Sequence, residues 1–284
     1  MRNETNRLLL ERLAVVLMDA RMADRGTVQR LLKIGLTEEE VMCALVLSRM
    51  GLDEETDLGR EIHRGYLPKM IQKVSPSLVE DDPYVQAVCP VEKRCGDKRL
   101  TMDTLFPYEI FVRDDFRMDA SGRVLPQLGF LESSVTFPVL LERGLSWMSV
   151  EPNEIQTLRP LAQAARGKVV MMGLGIGYYA FHALMNPSVT EVTAGERDGE
   201  ILDMFREALL PLFPRKECLK LVQDDAFHFA AGPMKTLYPD TVLTDLWRDA
   251  GDGAELYLRM KALEWEGPNW QYWIEPTIRY YLEA

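Results

Sequence analysis

The segment 168–181 constrains the fold of this chain more than any other. After Lys168, residues 169–172 form an apolar run with the β-branched content of a buried strand. Gly173, Gly175 and Gly177 follow at alternate positions, where they let the backbone turn tightly. The apolar run that begins at Tyr178 predicts a helix. A strand, a glycine-rich turn and a helix in this order are typical of the first crossover of an α/β fold.

Residues 151–284 alternate short apolar runs with segments of helical pattern. The runs predict strands at 168–172, 189–195, 219–223 and 241–246, separated by helices such as 178–185 and 199–210. Alternation of this kind gives a parallel sheet with helices on both faces. We therefore expect an α/β fold over 151–284, with a Rossmann-like, doubly wound and mostly parallel sheet. A further strand is expected at 271–274.

Residues 1–80 predict a helical N-terminal region. Apolar residues recur there at helical spacing, Thr37 and Glu40 form a capping-box pattern, and a helix is expected over 58–73. We expect this region to be a helical cap or a homodimer surface. A helix-turn-helix is disfavoured, because its second helix would begin with three glutamates facing the phosphates.

Residues 81–150 favour a small β-rich segment that begins after the boundary pattern Asp81-Asp82-Pro83. Short antiparallel strands are expected at 105–113, 124–130, 137–141 and 145–150, with turns at 120–122 and 143–144. The chain therefore divides into three predicted parts, 1–80, 81–150 and 151–284.

The composition limits the partners and the compartment. The net charge of −11 disfavours nonspecific binding to nucleic acid, which depends on Lys and Arg that neutralise phosphates. No uninterrupted apolar run is long enough to cross a bilayer, so no membrane segment is expected. The cysteines and histidines lack the spacing of a metal site. We expect a cytoplasmic protein with free thiols and no bound metal.

Acidic residues follow each of the three strands after the glycine turn. Glu196 follows the second strand, Asp225 the third and Asp245 the fourth. In a parallel sheet the carboxyl ends of the strands meet at one edge, where ligands bind. A carboxylate about twenty residues after such a turn accepts the ribose hydroxyls of a nucleotide. The pattern predicts a site for an adenosine-bearing cofactor, and its alternative is a set of solvated acidic turns.

The spacing of the glycines separates two classes of cofactor. The GxGxxG pattern of NAD and FAD sites would place its third glycine at position 178, which is Tyr178. A tyrosine there would crowd the packing of the helix on the strand. A dinucleotide therefore fits this turn poorly.

With these motifs the chain resembles the class I S-adenosylmethionine-dependent methyltransferases, and within them the branch similar to spermidine synthases. The resemblance covers residues 152–247. It lies in four segments at successive strand ends, which are 169–177, 192–198, 224–226 and 244–247. It implies S-adenosylmethionine as the cofactor and a sulfonium methyl group as the group transferred.

The resemblance also implies roles for individual residues. Gly173, Gly175 and Gly177 would border the methionine and ribose parts of the cofactor. Glu196 would bind the ribose hydroxyls, Asp225 the adenine amino group, and Asp245 would lie near the sulfonium and the acceptor. Tyr178, Arg197 and Ala226 complete the implied cofactor site. Asp245 and Asp249 are the carboxylates available to take a proton from the acceptor.

Two positions depart from the families. Many methyltransferases carry an acid two residues before the first glycine, and here that residue is Met171. Another group, such as Asn153 or Glu154, would then bind the amino end of the cofactor. Spermidine synthases carry a second aspartate three residues after the first, and here that residue is Arg248. The diamine site of those enzymes is therefore not reproduced.

The sequence thus predicts a methyltransferase that uses S-adenosylmethionine and acts on a small-molecule acceptor, with nucleic acid disfavoured. One alternative is aminopropyl transfer from decarboxylated S-adenosylmethionine, since acidic strand ends suit a cationic acceptor. A second is a non-catalytic nucleoside-binding regulatory module. A nicotinamide-dependent oxidoreductase is the third, and Tyr178 opposes it.

Overall fold

A computed structural model describes residues 2–18 and 25–283. The elements of the N-terminal region are α1 (Arg2–Met18), α2 (Arg25–Leu32), α3 (Glu38–Arg49), α4 (Asp57–Glu61), α5 (Leu67–Met70), β1 (Ile71–Lys73) and α6 (Ser77–Glu80). The predicted capping box at the start of α3 is confirmed. The Thr37 hydroxyl accepts from the backbone N–H of Glu40, and the Glu40 carboxylate accepts from that of Thr37 at 2.8 Å.

The region predicted as one helix over 58–73 is helical as far as Met70, but the helix is interrupted, and the prediction is wrong at residues 71–73. A π-helical turn over Ile62–Tyr66 separates α4 from α5, and β1 replaces the last predicted turn. Pro68 has no N–H to donate to the carbonyl of Arg64, so the α-helical pattern cannot continue through it. The N–H of Leu67 donates instead to Ile62, five residues back.

The middle of the chain contains one short helix and six strands in the described residues. These elements are α7 (Pro83–Val88), β2 (Lys93–Cys95), β3 (Lys98–Leu105), β4 (Phe111–Met118), β5 (Val124–Phe130), β6 (Val135–Glu142) and β7 (Leu145–Ser149). The predicted antiparallel pairs are present as β4 with β5 and β6 with β7. The strand predicted at 105–113 starts only at Phe111, because Tyr108 has a left-handed φ of 60° that interrupts extended backbone.

The C-terminal part forms the alternating domain. Its elements are α8 (Pro152–Ala164), β8 (Gly167–Met172), α9 (Tyr178–Met185), β9 (Val189–Glu196), α10 (Gly199–Met204), β10 (Leu219–Gln223), α11 (Ala226–Ala231), β11 (Thr241–Thr244), α12 (Ala250–Lys261), β12 (Asn269–Tyr272) and α13 (Glu275–Glu283). The four strands predicted between 168 and 246 are all present, and β12 overlaps the strand expected at 271–274.

The sheet of this domain has the order β10-β9-β8-β11-β12, and every neighbouring pair is parallel. The chain runs outward from β8 to β10 and then returns to place β11 on the other side of β8. Strand order therefore reverses between β8 and β11. Residues 169–172 of β8 are at most 1% exposed, as expected for a central strand covered on both faces. This is the predicted Rossmann-like α/β fold.

The chain forms two compact units. One comprises residues 1–80 and 104–136, in which α1, α3 and the sheet β1-β5-β4 surround a common apolar core. The other comprises 81–103 and 137–284 and includes the parallel sheet, together with α7, β2 and β7. The segment 81–150 is thus shared between the two units, and the boundary at residue 150 stays a prediction.

Candidate functional site

The turn after β8 is pressed directly against the end of β11. Gly173 has a φ of 89°, and its N–H donates to the carbonyl of Gly195 at 3.0 Å. A Cβ added at Gly173 would overlap the backbone carbonyl oxygen of Asp245. The left-handed backbone and this close approach both require glycine. The turn therefore lies at the reversal of strand order, between β8 and β11.

The other two glycines of the turn meet different neighbours. A Cβ at Gly177 would overlap the rings of Phe205 and Phe213, so this glycine serves helix packing. A Cβ at Gly175 would overlap only Met148 Sδ of β7. The same sulfur lies 3.4 Å from the N–H nitrogen of Ile176. The face of the turn at Gly175 is thus covered by one flexible side chain.

Glu196, at the end of β9, reaches the glycine turn. Its Oε2 accepts from the backbone N–H of Leu174 at 3.2 Å, and its Oε1 accepts from that of Asp198 at 3.0 Å. The side chain is half-buried, and the following Arg197 is exposed. A carboxylate oxygen accepts more than one hydrogen bond, so both oxygens keep capacity for a ligand. The structure therefore brings Glu196 and the three glycines together.

A buried lysine fixes the loop that follows Glu196. The Nζ of Lys98, on β3, lies 2.9 Å from Asp198 Oδ2 and 2.9 Å from Glu200 Oε2. Lys98 is only 7% exposed, whereas Asp198 is half-buried and Glu200 is exposed. No local signal in the sequence marks this lysine, because its partners lie about a hundred residues away.

The acids after β10 form local contacts. Asp225 caps α11, with Oδ1 accepting from the backbone N–H groups of Phe227 at 3.0 Å and His228 at 3.1 Å. Asp224 Oδ1 lies 2.8 Å from His228 Nδ1. Asp225 is exposed, and Ala226 is half-buried. A role for Asp225 and Ala226 at an adenine ring stays a prediction.

The two predicted catalytic acids lie in different surroundings. Asp245 follows β11, its N–H donates to Met172 at 3.0 Å, and burial raises the pKa of its carboxyl. The side chain nonetheless keeps some exposed surface. Asp249 is exposed and caps α12, with Oδ1 accepting from the N–H of Gly251 at 2.7 Å and that of Asp252 at 3.2 Å. Helix capping thus accounts for Asp249, whereas the contacts of Asp245 leave its carboxyl available.

Two acids lie at the start of α8, and one of them, Glu154, interacts with the charge of Asp245. Burial raises the pKa of Glu151 to about 7. Burial also raises the pKa of Glu154, and the nearby charges of Asp245 and Glu151 raise it further. Glu154 is 6% exposed, and its Oε2 is buried without a hydrogen-bond partner among the described residues. Three carboxyl groups therefore share one region at the carboxyl end of the sheet.

Further buried polar atoms at the end of β11 also lack partners in the part of the chain that the structure describes. They are Thr244 Oγ1 and Trp247 Nε1. Buried polar atoms in proteins are nearly always hydrogen-bonded, to protein, water or ligand. Their concentration here, next to Asp245, is typical of a binding site rather than of a packed core.

Tyr178, predicted as a cofactor residue, has its side chain in the interior instead. It is fully buried, and its hydroxyl donates to Asp82 Oδ2 at 2.8 Å. The ring of Tyr178 packs edge-on against Tyr84, whose hydroxyl donates to the carbonyl of Ile176 at 2.6 Å. The side chain of Tyr178 therefore cannot line the cofactor site. Asp82 and Tyr84 brace the residues on either side of Gly177, a role that the sequence analysis missed.

Two negative findings concern the described residues alone. Within 2–18 and 25–283, no group of three or more His, Cys, Asp and Glu side chains is arranged to hold a metal ion. None of the helices in these ranges has the length and hydropathy needed to span a membrane.

Several solved structures resemble part of this chain. No protein-family model and no curated protein matches the sequence. Among solved structures, TrmK of M. capricolum bound to S-adenosylhomocysteine is 12% identical and covers 38% of this chain, with a TM-score of 0.32. An O-methyltransferase-like protein of Klebsiella pneumoniae is 19% identical over 36% of the chain (TM-score 0.29). TrmN of Thermus thermophilus is 27% identical over 36% (TM-score 0.29).

This chain covers 46%, 46% and 30% of these three structures, so it spans less than half the length of each.

Proposed function

We propose that this protein is an S-adenosylmethionine-dependent methyltransferase. The main support for this proposal is the contact between Glu196 and the glycine turn, which lies where the strand order reverses. In open α/β sheets an adenosine cofactor binds where strand order reverses. The glycine turn contacts the cofactor, and a carboxylate accepts hydrogen bonds from its ribose hydroxyls. Gly173, Gly175 and Glu196 would form this part of the site, with Arg197, Asp225 and Ala226 towards the adenine.

The environment of position 178 supports S-adenosylmethionine over a dinucleotide. NAD and FAD sites use a third glycine there so that the helix approaches the strand and the pyrophosphate closely. Here the side chain at that position is a buried tyrosine held by Asp82. A cofactor without a pyrophosphate does not need the close approach that Tyr178 prevents.

Asp245 is the residue we propose for the chemical step. Methyl transfer is a displacement at the sulfonium methyl, in which the acceptor forms the new bond to carbon and the thioether leaves with the bonding electrons. The protein then has to position both partners and accept a proton from the acceptor. Burial raises the pKa of the Asp245 carboxyl towards neutral pH. A general base is most effective when its pKa lies near the working pH. Asp249 would assist only if it left its capping position.

We propose a small-molecule acceptor. The net charge of −11 and the acids at the strand ends oppose the approach of a phosphate backbone. The resemblance to spermidine synthases suggests decarboxylated S-adenosylmethionine as a competing donor. Arg248 disfavours that donor, because it stands where spermidine synthases carry their second aspartate.

The test is transfer of label from methyl-labelled S-adenosylmethionine into separate pools of small metabolites, RNA and protein. We expect label in the small-molecule pool, and a roughly 100-fold slower transfer for Asp245→Asn, the size expected for a lost general base. Label confined to RNA would contradict the proposed acceptor. Aminopropyl transfer from decarboxylated S-adenosylmethionine, without methyl transfer, would contradict the proposed reaction.

A further inference from the structure

We propose that Arg248 and Trp147 bind an anionic group of the acceptor, a carboxylate or a phosphate. This inference rests on the proposed function, and it narrows the acceptor from any small molecule to an anionic one. It gives a task to two residues that belong neither to the predicted cofactor site nor to the proposed proton acceptor.

A β-bulge in strand β7 redirects Trp147. Met148 of β7 pairs with Leu140 of β6. The next pair joins Ser146 to Leu141, so Trp147 between them has no partner on β6. Side chains alternate between the two faces of a regular strand, and a bulge breaks this alternation. Bulges occur often next to active sites, where they re-aim a side chain.

The bulged strand contacts two parts of the candidate site. Met148 covers the glycine turn, with its Sδ 3.4 Å from the N–H nitrogen of Ile176. The indole ring of Trp147 faces Arg248, whose guanidinium carbon lies 5.5 Å from the ring centre. Arg248 follows Asp245 closely in the segment after β11. Trp147 and Arg248 therefore lie next to the glycine turn, on the side of β11.

The guanidinium of Arg248 is held in place but keeps free donors. Its Nε donates to Asp252 Oδ2 at 3.3 Å, and the Trp147 ring lies within the distance of a cation–π contact. A guanidinium has five N–H donors, and toward the part of the chain that the structure describes only the Nε group donates. The terminal nitrogens are therefore available to a ligand, and 51% of the side chain is exposed. Their fork geometry matches two oxygens of a carboxylate or a phosphate.

The charges around Arg248 favour a single anionic group over a polyanion. Asp245, Asp249 and Asp252 flank this arginine in the chain, so a phosphate backbone would meet more acids than bases here. Burial raises the pKa of Asp245 with no contribution from Arg248, so the guanidinium does not neutralise the proposed base. The anionic group that Arg248 binds is therefore distinct from the group that is methylated.

The test separates the acceptors by charge before the reaction. Small metabolites are divided by ion exchange at neutral pH into anionic, neutral and cationic fractions, and each fraction receives the full chain with methyl-labelled S-adenosylmethionine. We expect most of the label in the anionic fraction. Treating that fraction with a phosphatase beforehand removes a phosphate-bearing acceptor and spares a carboxylate. Transfer that is lost after this treatment identifies a phosphate, transfer that persists identifies a carboxylate, and either result supports the inference.

The variant Arg248→Met tests the arginine. We expect transfer to the anionic fraction to decrease by about 10- to 100-fold, the range for hydrogen bonds between charged groups. The affinity for S-adenosylhomocysteine, measured by calorimetry, should stay unchanged, because the substitution affects the acceptor alone. Arg279→Met is the matched control, since Arg279 is 62% exposed and also pairs with an acid four residues later. Arg248→Lys keeps the charge without the fork, so its transfer should be intermediate.

The variant Trp147→Leu tests the indole ring. It should lower transfer to the anionic fraction by about 2- to 5-fold, the value for a cation–π contact at an exposed site. Leu145→Ala is the control, because Leu145 is an exposed apolar residue of the same strand. Equal losses in these two variants would remove Trp147 from the acceptor site.

The outcomes separate this inference from the proposed function. Label chiefly in the neutral or cationic fraction, or equal losses in Arg248→Met and Arg279→Met, would overturn the role of Arg248 while methyl transfer to a small molecule stands. A weaker affinity for S-adenosylhomocysteine in Arg248→Met would also overturn this role, since it would place Arg248 at the cofactor. Transfer into none of the fractions would overturn the proposed small-molecule acceptor, and this inference with it.

Discussion

At the scale of single residues, the site depends on two positions that have different tasks. Gly173 allows the turn to touch the backbone of Asp245, so its role is steric. Glu196 joins this turn to the end of β9 and presents a half-buried carboxylate, so its role is polar. A substitution of Gly173 should therefore lower stability, whereas a substitution of Glu196 should lower ligand affinity.

Gly173→Ala should destabilise the fold. The added methyl group would overlap the Asp245 carbonyl in a backbone conformation that alanine adopts poorly, so we expect a loss of at least about 3 kcal/mol in the free energy of unfolding. Gly122→Ala is the matched control, since Gly122 has a φ of 78° but no atom within 4 Å of an added Cβ. Its loss should be about 1 kcal/mol, from backbone strain alone. Equal losses in urea unfolding would contradict the steric role of Gly173.

Glu196→Ala should remove ligand binding without unfolding the protein. We expect S-adenosylhomocysteine affinity to decrease by about 10-fold or more, the value for a charged acceptor lost from two hydroxyl donors. Glu191→Ala is the control, because Glu191 lies on the same strand and pairs with Lys220. Ligand-induced shifts in melting temperature measure the effect. An unchanged shift in Glu196→Ala, with circular dichroism intact, would exclude Glu196 from the site.

At the scale of elements, the start of α8 holds two acidic side chains that are withdrawn from solvent, the half-buried Glu151 and the buried Glu154. Burial raises the pKa of Glu151 from 4.5 to about 7, and Glu154 and Asp245 shift in the same direction. Between these pH values the folded chain binds more protons than the unfolded chain. The stability that this region contributes is therefore present at low pH and is lost as the pH rises.

Replacing Glu151 should flatten this pH dependence. We expect the free energy of unfolding of the unmodified chain to decrease between about pH 4.5 and pH 7, with Glu151 contributing on the order of 2 kcal/mol, reduced by its partial exposure. Urea unfolding across this range, for the unmodified chain and Glu151→Gln, measures the difference. Parallel profiles for the two proteins would show that Glu151 keeps an ordinary pKa.

The parallel strands were predictable from the sequence, whereas the contacts between residues far apart in the chain were not. β8, β9, β10 and β11 are apolar runs bounded by glycine or charge, and their predicted limits agree with the structure to within two residues. The segment Ile71–Lys73 reads as helix but pairs in parallel with β5, because tertiary pairing outweighs local propensity. The burial of Tyr178 depends on Asp82, 96 residues away, which no local pattern reveals.

At the scale of the whole molecule, residues outside 151–284 contact the turn and the loop at the carboxyl end of the parallel sheet. Asp82, Tyr84 and Lys98 belong to the same compact unit and hold the glycine turn and the loop after β9. The predicted domain 151–284 contains the complete parallel sheet but lacks these three residues. The proposal that it is an independent domain is therefore open to a direct test.

A fragment of residues 151–284 should be less stable than the full chain. Without Asp82 and Tyr84, the hydroxyl of Tyr178 and the carbonyl of Ile176 lose buried partners, which costs about 1–3 kcal/mol for each group. We expect the fragment to show a broad thermal transition at a lower temperature. A sharp transition at the temperature of the full chain would establish residue 150 as a true domain boundary.

If the glycine turn binds an adenosine-bearing sulfonium cofactor, it should also bind the product of that cofactor. Calorimetric titration of the full chain with S-adenosylhomocysteine, and in parallel with NAD, measures this binding. We predict saturable binding of S-adenosylhomocysteine at one site, at least about 10-fold tighter than any binding of NAD, a difference of about 1.4 kcal/mol or more. A folded protein that gives no heat with S-adenosylhomocysteine, or that binds NAD more tightly, would exclude this cofactor from the glycine turn.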